Sequence, residues 1–250
     1  MNLLHQQLTQ LKLSGVKAAL QQQSQQASLY AEQSFEERLS LLLSHEITGR
    51  EQRRVERLTK QAKFRLKANI NDIDYQAQRQ LSKDTLRHLA QGDWLQQGHN
   101  LLITGATGCG KTYLSCALGH HHCQQAHSVY YFRLKELLET LFMAQADGSY
   151  RKQINKLKAC DLLILDDWGL EPLSAQQRSD LLELIDARYD SKSTMITSQL
   201  PVANWYDMIG ESTHADAILD RLIHGSIKLE LKGESMRKRQ NKLTDADHVS

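Results

Sequence analysis

The chain is 250 residues long, with 31 Lys and Arg against 29 Asp and Glu, a formal net charge of +2 and 40% hydrophobic residues. That suits one α/β domain of ordinary size plus a smaller appendage. No apolar run approaches the roughly 20 residues that cross a bilayer, Met1 to Gln10 lacks the regions of a secretory leader, and Cys109, Cys116, Cys123 and Cys160 form no Cys-x-x-Cys pair or disulfide framework, so membrane and disulfide-scaffold classes are excluded and a reducing cytoplasm is expected.

From Asn2 to about Lys67 there is no proline, and leucines recur at helical spacing: Leu4, Leu8 and Leu11, then Leu39, Leu42 and Leu43. This predicts a small all-helical domain over 1–68, built as a bundle. Ser34-Phe35-Glu36-Glu37 is a capping box that starts a new helix. The same region carries Arg50, Arg53, Arg54, Arg57, Lys60, Lys63, Arg65 and Lys67, opposed by Glu51 and Glu56 alone. Such a run neutralises nucleic-acid phosphates or forms a solvated helix face, and the sequence by itself leaves both open.

Over 69–250, apolar runs that read as buried strands alternate with amphipathic helices: Leu101 to Thr104, Val129 to Phe132, Leu162 to Leu165, Met195 to Thr197 and Ile227 to Leu231. The pattern predicts an α/β domain with a five-stranded parallel sheet between helices, its ligand held at the carboxyl ends of the strands. The first run leads into Gly105-Ala106-Thr107-Gly108-Cys109-Gly110-Lys111-Thr112, which fits the phosphate-loop pattern G-x-x-x-x-G-K-[ST]. The glycines allow backbone amides to close on phosphate, Lys111 reaches the β and γ phosphates, and the Thr112 hydroxyl ligates magnesium. His120-His121-His122-Cys123 follows on the next helix. Consecutive histidines point to different faces, so they read as structural residues rather than metal ligands.

Asp161-Leu162-Leu163-Ile164-Leu165-Asp166-Asp167 is a buried strand ending in two acids, a Walker B pattern. Asp166 is expected to hold the magnesium through its water shell, and Asp167 to orient or deprotonate the attacking water. Ser198-Gln199 ends the next strand where a γ-phosphate sensor would stand, and either residue could serve. Arg221 and Arg237 are candidates to stabilise charge on the transferring phosphoryl group. Arg237 also belongs to a second basic cluster with Lys238 and Arg239.

Taken in that order, these motifs resemble the AAA+ ATPases of the DnaC and IstB group. LLILDDWGL (Leu162 to Leu170), SQLP (Ser198 to Pro201), ADAILDRL (Ala215 to Leu222) and GESMRK (Gly233 to Lys238) sharpen the resemblance to IstB-type transposition helper ATPases of bacterial insertion sequences. It implies an AAA+ P-loop NTPase that uses ATP and Mg2+, binds double-stranded DNA with little sequence preference, and forms a homo-oligomer on DNA with ATP. It also implies a cognate transposase as the partner to be recruited and activated. Carried over residue by residue, Gly105 to Thr112 is Walker A, Asp166 the magnesium-side acid and Asp167 the catalytic acid. Gln199 or Ser198 is sensor one, Arg221 the arginine finger and Arg237 sensor two. The resemblance favours DNA contact for the Arg50 to Lys67 run. There are two departures from the pattern. Asp167 stands where most AAA+ enzymes have the longer Glu, which implies slow turnover, and Ala217 stands where DnaC-like loaders carry arginine. The alternatives are a DnaC-like helicase loader and an assembly factor that binds ATP but barely hydrolyses it.

Overall fold

A computed structural model describes residues 2–75, 81–233 and 236, and the chain divides into two compact units, Met1–Arg57 and Leu58–Ser250. In the first, α1 (Asn2–Gln10), α2 (Ser14–Gln25) and most of α3 (Phe35–Ala62) follow the leucine spacing. The expected capping box starts α3. The Glu37 amide donates to Ser34 Oγ (3.2 Å), and the Ser34 amide donates to the Glu37 carboxylate (2.7 Å). Buried Glu46 on α3 accepts the free amides of Gly15 (2.6 Å) and Val16 (3.2 Å) at the start of α2. Gly15 permits that approach, because a Cβ there would stand 2.7 Å from Glu46 Cα.

The leucine stripe does not close into a packed bundle. Leu8, Val16 and Ala19 are buried, whereas Leu4, Leu11, Leu39 and Leu43 are exposed. Two short helices offer too little apolar area to cover the long α3.

In the second unit, Leu58 and Ala62, in the last turns of α3, join its core. There follow α4 (Lys83–Gln91), α5 (Asp93–Gln96), β1 (Leu101–Gly105), α6 (Lys111–Gln124), β2 (Val129–Arg133), α7 (Leu134–Ala146) and α8 (Tyr150–Ala159). The remainder is β3 (Leu162–Trp168), α9 (Ala175–Asp186), β4 (Ser193–Ser198), α10 (Trp205–Ile209), α11 (Ser212–Ile223) and β5 (Ile227–Leu231). The strands form one sheet in the order β2-β3-β4-β1-β5, every neighbouring pair parallel. The expected five-stranded parallel sheet is present.

Strand alternation sends Leu101, Ile103 and Ile164 to one face with Leu114 and Leu118 of α6. It sends Leu102, Leu163 and Leu165 to the other, with residues of α7 to α11. Asn100, just before β1, fixes the amino end of the sheet: it accepts the Thr194 amide and donates to the carbonyls of Arg221 and Leu222 on α11. β3 runs three residues past the expected Leu165, to Trp168. The cause is a register shift against β4 between Leu165 and Trp168, which lets Asp166 and Asp167 lie within the strand. No helix among the described residues is long and apolar enough to cross a membrane.

His122 is fully buried on α6, edge-to-face with Trp94, its Nδ1 3.0 Å from Gln125 Oε1. Burial disfavours its cation and depresses the pKa to about 4. The unfolded imidazole takes up a proton below about 6.5 and the folded one only near 4. Stability from the neutral ring is therefore full above pH 6.5 and is lost as the pH falls towards 4, by on the order of 3 kcal/mol. Denaturant unfolding at stepped pH should show wild type losing stability through that window and His122→Phe losing distinctly less. Equal losses would contradict the assignment.

Candidate nucleotide site

The carboxyl end of β1 turns through Gly105, Gly108 and Gly110, with φ of 149°, 83° and 97°, before α6 begins at Lys111. These left-handed values favour glycine. At Gly105 a Cβ would also stand 2.2 Å from the Leu231 carbonyl oxygen on β5. Lys111 is nearly buried, and its Nζ donates to the carbonyls of Gly105 (2.7 Å) and Ala106 (2.9 Å). The ammonium thus lies against the loop it serves. Cys109, within the loop, is fully buried.

Asp166 is 1% exposed. Its Oδ2 accepts from Thr112 Oγ1 (2.9 Å) and from the Tyr131 hydroxyl (2.5 Å), and its Oδ1 accepts from Thr197. Three hydroxyls from α6, β2 and β4 therefore satisfy a carboxylate from β3. Burial first, and the neighbouring Asp166 next, push the Tyr131 phenol well above the ordinary tyrosine range, so it stays a donor. A hydroxyl and a carboxylate in contact are the hard oxygen donors that magnesium takes. Thr112 and Asp166 fit that ion.

Asp167, one residue on, is half-buried and has φ 60° within the register shift. Aspartate tolerates this left-handed conformation better than longer side chains do, which gives a backbone reason for Asp where most AAA+ enzymes have Glu. Its Oδ2 is 3.4 Å from Arg133 Nε and 3.7 Å from Arg65 Nη1. Burial foremost, then Asp166, raises its carboxyl above the usual range, while Arg133, Arg65 and Lys111 pull it down.

Of the two sensor candidates, Gln199 touches the loop: Thr107 Oγ1 donates to its Oε1 at 2.7 Å. Ser198 is buried, donating to the Trp168 carbonyl and accepting the Leu200 amide. Arg221 pairs with Asp186 on α9 (2.7 Å) and donates to the Ala217 carbonyl. The Asn100 bonds hold its turn of α11 at the amino end of β1, a strand length of about 15 Å from Gly105. The fold does not bring Arg221 to the loop of its own chain. Arg237 lies outside the described residues, as do Lys238 and Arg239, although the Met236 amide donates to the Gly108 carbonyl (2.9 Å). Arg50, Arg53, Arg54 and Arg57 are exposed on α3 in the first unit, where Arg50 and Arg53 pair with Glu46. Lys60, Lys63, Arg65 and Lys67 are exposed in the second unit.

Tyr131, Thr197 and Arg133 are site residues that motif reading misses. Each stands on a strand whose neighbour only the sheet order reveals.

A phosphate loop after β1, paired acids on β3 and a polar end to β4, in a sheet of this order, define an AAA+ P-loop NTPase domain. The family described as IstB-like ATP binding protein matches residues 6–244, and the chain belongs to it. It is 46% identical over 209 residues to y4pL of Sinorhizobium fredii, covering 84% of this chain and 85% of that protein. It is 32% identical over 235 residues to a protein of insertion sequence IS21 in Pseudomonas aeruginosa, covering 94% and 88%. Both relatives are named as insertion sequence ATP-binding proteins. The fold is similar to the crystal structure of the DnaC helicase loader, with a TM-score of 0.59 at 24% identity over 68% of this chain and all of that one. It is similar also to AMPPCP-bound DnaA from Aquifex aeolicus, with a TM-score of 0.59 at 18% identity over 73% and 56%.

Because the Gly105 Cβ direction is filled by backbone, Gly105→Ala should displace the loop from β5. Titration with a fluorescent ATP analogue should show affinity at least about tenfold weaker, about 1.4 kcal/mol or more. Unchanged affinity would contradict the geometry.

Proposed function

We propose that the protein is an ATP-dependent helper of DNA transposition. It binds duplex DNA with little sequence preference, assembles on it as a homo-oligomer with ATP and Mg2+, and recruits and activates the transposase of its insertion sequence. The observation that carries the ATPase part is the contact of Thr112 with Asp166 beside Asp167 at the phosphate loop. Family membership and the exposed basic run from Arg50 to Lys67 support the DNA and transposition parts.

In this reading the loop amides cradle the phosphates, and Lys111 exchanges the Gly105 and Ala106 carbonyls for β and γ phosphate oxygens. Magnesium, held by Thr112 and Asp166, would supply charge neutralisation of the phosphates. Asp167 orients the attacking water and accepts its proton. Gln199 reports the γ phosphate to β4, a role supported by its bond to Thr107 of the loop. Arg221, remote from its own loop, acts on the nucleotide of a neighbouring subunit, and Arg237 acts as sensor two. The basic run contacts phosphates, which sets position on the duplex without reading bases.

Lys111→Ala should abolish ATP-dependent assembly in sedimentation, and an unchanged oligomer would refute the loop's role. With ATP, wild type should retard an arbitrary duplex, and six or more phosphate contacts should cost affinity about a thousandfold between roughly 50 and 200 mM salt. No retardation at low salt would sink the DNA reading. Asp167→Asn should lower phosphate release at least about a hundredfold. Mixing it with Arg221→Ala should restore part of the activity at hybrid interfaces, and no recovery at any ratio would exclude a finger acting between subunits.

A further inference from the structure

Asp166 is held from both sides of its strand. Tyr131 of β2 donates to its Oδ2 at 2.5 Å, Thr112 of α6 donates to the same oxygen at 2.9 Å, and Thr197 of β4 donates to Oδ1. A carboxylate offers roughly four lone-pair sites. Among the described residues, two donors reach Oδ2 and one reaches Oδ1. The position left open lies on Oδ1. It has room for one water of a hydrated ion, but the pair of oxygens is too occupied to grip a bare ion together.

Both flanking donors are locked by packing, with Tyr131 5% exposed and Thr197 1%. Their strands pair directly with β3. Between the Leu165 and Trp168 pairings β3 holds Asp166 and Asp167 where β4 holds Thr197 alone, so the register shift that separates the two acids also sets Thr197 against Asp166. Neither Tyr131 nor Thr197 belongs to the phosphate loop. Their hydroxyls bear on a metal through Asp166.

Magnesium and calcium make different demands on such a carboxylate. Magnesium is small, keeps several of its waters and takes one or two carboxylates at most, whereas calcium takes about six to eight oxygens and often both oxygens of one carboxylate. A carboxylate pinned by hydroxyls on both oxygens meets the first demand and refuses the second.

We propose that Tyr131 and Thr197 are positioning residues that fix Asp166 as a carboxylate unable to chelate, and that they thereby make the nucleotide site select magnesium over calcium. This rests on the reading above, in which Thr112 and Asp166 serve magnesium.

The test is equilibrium binding of a fluorescent, non-hydrolysable ATP analogue to the full chain with saturating magnesium, with saturating calcium, and in EDTA. Wild type should bind the magnesium complex at least about tenfold tighter than the calcium complex. Tyr131→Phe and Thr197→Val should each bring that ratio below about threefold, chiefly by weakening the magnesium complex. Affinity in EDTA should stay within about twofold of wild type in both, because the loop amides and Lys111 are untouched. Thr197→Ser, which keeps the hydroxyl, should keep the wild-type ratio.

A role confined to packing would lower the unfolding temperature and leave the ratio where it is, so an unchanged ratio in either hydroxyl-free variant overturns the proposal. A loss of affinity in EDTA as large as the loss with magnesium would assign the hydroxyls to the loop and overturn it too, as would selectivity lost equally in Thr197→Ser. If neither metal tightens binding to wild type, the magnesium reading fails. If magnesium tightens wild type and both variants alike, this inference fails alone.

Discussion

The carboxylate of Asp166 is the constraint on which the nucleotide end of the second unit depends. A carboxyl group so buried is costly unless its oxygens are bonded. Here Thr112 and Tyr131 donate to one oxygen and Thr197 to the other. Those donors come from α6, β2 and β4, so satisfying one side chain fixes the order β2-β3-β4 and seats the phosphate-loop helix against it. A slip of one residue in β2 or β4 would point Tyr131 or Thr197 to the opposite face and cost Asp166 one of its three donors.

The two consecutive aspartates differ because their surroundings differ. Asp166 is enclosed by hydroxyls at a position suited to a metal. Asp167 is half-exposed between guanidiniums, in a backbone conformation that aspartate tolerates. Neighbouring carboxylates driven into separate environments take separate tasks. The register shift against β4 makes the separation possible, since it re-aims the strand at that point.

Much of this was legible in the sequence because it is local. Gly105 to Thr112 and Asp161 to Asp167 are contiguous strings whose spacing carries their chemistry, and the apolar runs located all five strands. The rest needed pairing across the sheet. Nothing in Val129 to Arg133 says that Tyr131 meets Asp166 or that Arg133 meets Asp167, because both contacts depend on β2 lying beside β3. The extension of β3 to Trp168 follows from a register shift that no single-strand pattern contains. Leucine periodicity marked α1 and α3 as helices, but periodicity does not say whether a stripe is covered, and Leu39 and Leu43 remain exposed. Of the basic run, charge alone did not separate Arg50, tied to Glu46, from Arg65, turned towards Asp167.

In the proposed function, what links these parts is control of a grip on DNA by the nucleotide at the phosphate loop. The most direct measurement is duplex affinity at one fixed salt concentration with a non-hydrolysable ATP analogue, with ADP, and with no nucleotide. The analogue should tighten binding at least about tenfold over the other two, a coupling of about 1.4 kcal/mol or more. Equal affinity in all three states would contradict nucleotide control of DNA binding.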